Sequence, residues 1–179
     1  MSHARSRLDP ALVLNPIQLL DFTRFVADEV AAGRYPYVRY TEAERWHQRL
    51  YRDRRVDLWL ISWLPSQGTD LHDHGGSAGA FTVLAGELAE AVHQPAPAGT
   101  LLEVARRAGD SAGFGPHYVH DVRNRSDQPA VSVHAYSPPL TSMSFYDLDA
   151  GGALTPLLTL AADHPEPAVR LPGRGEPAA

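Results

Sequence analysis

The residues of this chain whose types and spacing could do chemistry are, first, histidines. Gly68-Thr69-Asp70-Leu71-His72-Asp73-His74-Gly75-Gly76 follows a run, Val56 to Leu64, that reads as a buried β-strand. Where a chain stays extended, residues two apart point to the same side. His72 and His74 then project together, beside glycines that let the backbone pass close to a ligand. Two imidazoles so placed offer two nitrogens to one metal ion; the alternative is a pair of exposed loop histidines. A third candidate, His120, lies in His117-Tyr118-Val119-His120-Asp121-Val122-Arg123-Asn124. Val122 shares its face, and a strand there could run beside the first. His117 is three positions away and faces the other side in a regular strand, as a surface histidine or one behind the site. Asp73 and Asp121 neighbour the histidines directly, so pleating points both away and leaves no carboxylate as a fourth ligand. Three nitrogens with open positions suit iron, copper or zinc doing chemistry, not a closed structural site.

A second constellation is Ser132-Val133-His134-Ala135-Tyr136-Ser137-Pro138-Pro139. Ser132, His134 and Tyr136 alternate, so hydroxyl, imidazole and phenol can form one hydrogen-bonded row on one strand face. The phenol, nearest the strand end, would sit beside whatever the metal binds. The competing reading is an interior polar network that only satisfies itself.

Composition limits the rest. The 179 residues suffice for one domain with a sizeable core, and 44% hydrophobic with 21% charged residues is the balance of a soluble globular chain. No apolar run spans a bilayer and Ser2-His3-Ala4-Arg5-Ser6-Arg7 is no signal peptide, so a cytoplasmic location is expected. A net charge of −5 argues against nucleic acid or an anionic membrane as the main partner. Without cysteine there is no disulfide, thiolate metal site or cysteine nucleophile. All 16 basic residues are arginine, which excludes a Schiff-base lysine and a Walker A loop.

The elements that must position these residues fall into two textures. Residues 1–14 read as a flexible arm, and 15–162 as a single domain. Its helical part, 15–52, opens at Asn15-Pro16 as N-cap and first helical residue, continues through Leu19, Phe22, Val26 and Val30, and stops at Gly33. A second helix is expected from Thr41, with Glu44 completing a capping box, to about Tyr51. Over 56–150, short runs alternate with Gly and Pro breaks: Val56–Leu64, Ala80–Leu84, Glu87–His93, Leu101–Arg106, Val119–Val122, Val131–Tyr136 and Met143–Leu148. Such texture means a sandwich or barrel. His-x-His pairs also occur in (β/α)8 metallohydrolases, but that fold needs ~250 residues and alternating helices. Residues 163–179, rich in Pro and Gly, read as a mobile tail.

Roughly from Trp46 to Leu148, the chain resembles the thiol dioxygenases of the cupin superfamily, typified by cysteine dioxygenase. His72-Asp73-His74, the His120 to Asn124 segment and Ser132 to Pro139 carry the resemblance, and Gly68 to His74 looks like the first cupin motif. The usual cupin glutamate is absent, Ala78 and Gly79 falling in its place, as in the three-histidine branch. The resemblance implies an all-β cupin, a small β-barrel of jelly-roll type with the N-terminal helices packed on its outside. It implies one Fe(II) per chain on His72, His74 and His120, O2 as co-substrate, and Ser132, His134 and Tyr136 as an outer relay. Vertebrate members cross-link the active-site tyrosine to a cysteine; the matching position here is Gly79, as is common in bacterial members. Where cysteine dioxygenases hold the substrate carboxylate with an arginine, the matching residue is Gln48 of Trp46-His47-Gln48, with Arg49 or Arg39 as alternatives. Glutamine resembles the branch acting on 3-mercaptopropionate, whereas Ser137-Pro138 resembles the cysteine branch, in which that bond is cis. The implied activity is oxidation of a small thiol, L-cysteine foremost or 3-mercaptopropionate, to a sulfinic acid by a monomer. Rival readings are a non-catalytic metal-dependent sensor and a cupin cleaving a diketone or quercetin-like substrate with copper or nickel.

Overall fold

Asn15 caps the helix α1 (Pro16–Ala31) by accepting from the Gln18 amide while the Gln18 side chain accepts from the Asn15 amide. Just past the helix end, Gly33 takes φ 74°, the left-handed conformation that favours glycine. The computed structural model describes residues 13–35, 37–95 and 99–165. Most of the expected arm (1–12) and of the expected tail (166–179) therefore lies outside the described residues.

The second helix is corrected. The Thr41 hydroxyl donates to the Glu44 carbonyl, which makes a turn, and the chain then enters a strand, β1 (His47–Arg52). Ala43, Trp46 and Leu50 keep a helical spacing, but antiparallel pairing with β2 (Asp57–Trp63) supplies the hydrogen bonds a helix would have made. Further along come β3 (Ala78–Ala85), β4 (Glu87–Gln94), β5 (Thr100–Arg107), β6 (Ser111–Phe114), β7 (His120–Arg123), β8 (Ala130–Ser137), β9 (Ser142–Leu148) and β10 (Leu154–Ala161). Two of these had no sequence counterpart. β6 is four residues long and contains Gly113, which reads as a break. β10 contains Pro156, tolerated because the strand lies at an edge and its register slips between Pro156 and Leu158.

One layer is a five-stranded sheet in the order β1-β2-β8-β3-β6. The other joins β5-β4-β7 to β10-β9 through residues 68–72, which bridge to Arg123 and His120 on one side and Phe145 on the other. The layers face each other without closing into a single barrel, since β1 and β6 end one and β5 and β10 the other. No helix among the described residues is long and apolar enough to cross a membrane.

Alternation on β2, β3 and β8 sorts side chains into two cores. Trp59, Ile61, Trp63, Phe81, Val83 and Tyr136 face the opposite layer. Leu58, Leu60, Ala80, Val131, Val133 and Ala135 face outward and are covered by Leu19, Val26 and Ala27 of α1. With both faces buried, β2 and β8 are buried along their whole length, which is why they read as apolar runs.

Gly79 lies opposite Tyr136 in the β3–β8 ladder, and its hydrogen is all that fits: a Cβ would overlap the Phe114 ring and come within 3.2 Å of Tyr136. Gly79→Ala should therefore destabilise the fold by ~1–3 kcal/mol through overpacking. Urea midpoints of the two proteins test this, and an unchanged midpoint would mean that Phe114 moves aside at no cost.

Candidate active site

Residues 68–74 run between β7 and β9, and backbone pairing there aims the histidines. His72 and His120 exchange amide-to-carbonyl hydrogen bonds of 3.0 and 3.1 Å, so their side chains leave one face together. His74 reaches the same point two residues on, stacked between Phe114 and Tyr136 at 4.9 and 5.0 Å. One ring nitrogen from each of His72, His74 and His120 lies within 4.8 Å of the others, and all three residues are buried. Asp73 and Asp121 turn away as their positions imply. Asp73 accepts from the amides of Gly75 and Ser144 and from the Tyr146 hydroxyl, and Asp121 accepts from Thr69. His117 is exposed in the turn before β7.

Hydrogen bonding fixes which nitrogens face the cluster. His72 Nδ1 is 2.8 Å from the Asp70 carbonyl, which can only accept, so Nδ1 carries the proton and Nε2 a lone pair. His120 Nδ1 is 2.9 Å from Glu90 Oε1, with the same consequence. The Nδ1 of His74 has no hydrogen-bond partner. Burial holds His72 and His74 well below the usual histidine range, helped by the neighbouring imidazoles. With the Nδ1 atoms of His72 and His120 turned away to acceptors, the three ring nitrogens gathered at one point are a fitting donor set for a divalent ion.

The polar row lies beside this cluster. Trp63 Nε1–H donates to Ser132 Oγ at 2.8 Å, Ser132 Oγ is 2.8 Å from His134 Nε2, and His134 Nδ1 is 3.4 Å from the Tyr136 hydroxyl. Burial lowers His134 from 6.5 to about 3, so at neutral pH one ring nitrogen donates and the other accepts. Ser137–Pro138, at the end of the row, is cis.

The space left is a cavity of about 10 Å³, room for one water, lined among others by Arg45, His72, His120, His134, Tyr136 and Pro165. Gln48 is not there. It pairs with Leu60, whose face turns toward α1, and it lines an outer groove with Tyr37, Arg39, Trp46 and His47. Arg49 pairs with Trp59 and so shares the face of the site, but its guanidinium stacks 4.5 Å over Trp59 and meets Asp57 at 3.2 Å and Asp163. The arginine at the cavity is Arg45, buried, with its guanidinium 4.5 Å over Trp63. The sequence reading missed it because a helix carries no two-residue alternation from which to sort Arg45 from Gln48. Glu90 was missed as well, though a carboxylate between Leu88 and Val92, in the inward phase of a strand, was a usable signal. Pro165, expected in a mobile tail, is buried at the cavity, and His164 stacks on His47 at 5.3 Å.

Among known proteins, the cysteine dioxygenase type I family profile matches residues 33–149. Cysteine dioxygenase type 1 of Danio rerio is 28% identical over 122 residues, or 63% of this chain; the chain spans only 60% of that relative's length. Similar solved structures include TT1209 from Thermus thermophilus, 26% identical with a TM-score of 0.49, covering 56% of this chain and 90% of that one. Another is a double-stranded β-helix protein from Klebsiella pneumoniae, 24% identical with a TM-score of 0.49, covering 63% and 86%.

The buried histidines link stability to pH. His134 is depressed in the folded state, so protons bind the unfolded chain first; its contribution is complete above about 6.5 and declines as pH falls toward about 3. His72 and His74 act in the same direction. Metal-free protein should lose roughly 1.4 kcal/mol per pH unit for each such histidine below that point. Urea midpoints at pH 7.5 and pH 5 measure the slope, and equal midpoints would contradict buried neutral rings.

Proposed function

The chain belongs to the cysteine dioxygenase type I family, and from that premise we propose that it is an iron-dependent dioxygenase that oxidises a small thiol, L-cysteine in the first place, to a sulfinic acid. The carrying observation is the convergence of His72, His74 and His120 on one point beside the Ser132–His134–Tyr136 row. In the reaction R–SH and O2 give R–SO2H: both oxygen atoms end on sulfur, no external reductant is needed, and sulfur supplies all four electrons.

His72, His74 and His120 would hold Fe(II). Iron held there would supply Lewis-acid activation of the thiol and of O2. Everything else falls to the protein. Tyr136 would hydrogen-bond the reacting groups, with its phenol positioned by His134 and that ring by Ser132 and Trp63. Arg45 would take the substrate carboxylate in place of Gln48, because it lines the cavity and its stacking on Trp63 pre-orients the guanidinium. Trp59, Phe81 and Phe114 exclude bulk water from this region. A free-thiol substrate suits a reducing compartment, in keeping with a cytoplasmic protein.

Thiol-dependent oxygen consumption with sulfinate as product, in protein carrying one iron per chain, is the direct test. His120→Ala should lose both iron and turnover; full iron content in that variant would remove His120 from the site. Tyr136→Phe should keep iron and lose ~10²–10⁴-fold in turnover, and a loss under about threefold would make the phenol a packing residue.

Arg45 and Gln48 separate in a second experiment. Arg45→Gln should lower kcat/KM for carboxylated thiols by about 10–100-fold, the worth of a charge-assisted hydrogen bond of ~1.5–3 kcal/mol, and should spare cysteamine. Gln48→Ala should change neither. The reverse pattern would return the carboxylate contact to Gln48.

A further inference from the structure

We infer that Glu90 is a positioning residue of the metal centre: it orients His120 and strengthens the electron donation of that ring, making His120 unlike the other two ligands. The inference rests on the reading of His72, His74 and His120 as metal ligands.

Glu90 has no solvent exposure and sits on β4 opposite Val122 of β7, two residue pairs along from the Val92–His120 pair and therefore on the same face. Its Oε1 accepts from His120 Nδ1 at 2.9 Å and from the Tyr118 hydroxyl at 3.0 Å. Its Oε2 accepts from Arg106 Nε at 2.9 Å and Nη2 at 2.7 Å. Both oxygens are thus saturated by four donors from three side chains, which is what a buried carboxylate needs to stay ionised.

A carboxylate can only accept here, so the imidazole must present its Nε2 lone pair to the cluster. An anion on the far nitrogen also raises the basicity of the near one, which a neutral partner does far less. The three histidines differ in this respect: Glu90 stands behind His120, a backbone carbonyl behind His72, and His74 Nδ1 has no partner. Arg106 limits the effect by sharing the charge, and it reaches from β5 to Glu90 with its own side chain about a quarter exposed. An ion pair serving only to tie β4 to β5 would need Arg106 alone; the Oε1 atom is turned instead to His120, with the Tyr118 hydroxyl as its second donor.

The test uses Co(II) as probe on the full chain. Wild-type protein should bind one equivalent, and Glu90→Gln, which keeps the shape and loses the charge, should bind about 10–100-fold more weakly with a shifted visible spectrum. Tyr118→Phe removes the second donor from Oε1 and leaves the Glu90–His120 bond, so its affinity should stay within about threefold of wild type. Equal affinity and an identical spectrum in Glu90→Gln, even with a lowered melting temperature, would overturn the inference and leave Glu90 a strand-bridging ion. Imidazole ¹⁵N NMR of metal-free wild-type protein gives a reading that does not depend on any variant folding: His120 should be the Nδ1–H tautomer, and an Nε2–H tautomer would equally overturn it. Failure of wild-type protein to bind Co(II) while His120 shows the Nδ1–H tautomer would instead reject the metal reading of the three histidines.

Discussion

Two backbone hydrogen bonds between His72 and His120 hold this structure together at its most consequential point. In a closely bonded antiparallel pair, opposite residues put their side chains on one face, so the bond that joins residues 68–72 to β7 also sets two imidazoles side by side. His72 bridges Phe145 of β9 on its other edge. The His-x-His segment is therefore the middle strand of the second layer: without it, β5-β4-β7 and β10-β9 are separate ribbons. Assembling the layer and assembling the histidine cluster are one event.

The acidic neighbours of the histidines then gain a physical role. Asp73 faces away from the cluster, where it accepts from Ser144 and Tyr146 and clamps the loop onto β9. Asp121 does the same toward Thr69, whose hydroxyl also receives the Val122 amide. Pleating so divides each short segment into a side that holds the backbone in register and a side that presents nitrogen. Asn124, fully buried, completes the frame by donating to the carbonyls of Trp63 and Gln128, which ties the end of β7 to the end of β2.

What was legible in the sequence followed from period two. His72 with His74, and Ser132 with His134 and Tyr136, could be placed on common faces because strand alternation admits only one arrangement once the strand is recognised. Gln48 shows the converse. Thr41 and Glu44 imitate a capping box, and a helix assigned there erases the alternation that separates Arg45 and Arg49 from Gln48. Glu90 and Arg106 lie 16 positions apart on neighbouring strands, and only the β4–β5 register brings them together. Pro165 had no local signal at all, since its place depends on contacts made by Asp163 and His164 with a distant strand.

The forces on the two sides of the cavity differ in kind, and that difference bears on how such a site can work. Ser132, His134 and Tyr136 are buried on a strand hydrogen-bonded along both edges, so moving any one of them breaks ladder bonds and strands buried polar groups. The wall formed by Pro165 lies outside the strands, and its neighbours are reached by Arg49 and Arg52 donating to the Asp163 carbonyl and by the stack of His164 on His47. The carboxylate of Asp163, 70% exposed, makes only a surface ion pair with Arg49, and pairs of this sort contribute ~0–1 kcal/mol. Arg49 and Arg52 lose little when Asp163 leaves, because both remain paired with the buried Asp57. A strand bonded along both edges thus faces a wall that lies outside the sheets, and the hydrogen-bonded row takes its fixed geometry from the ladder on either side of it.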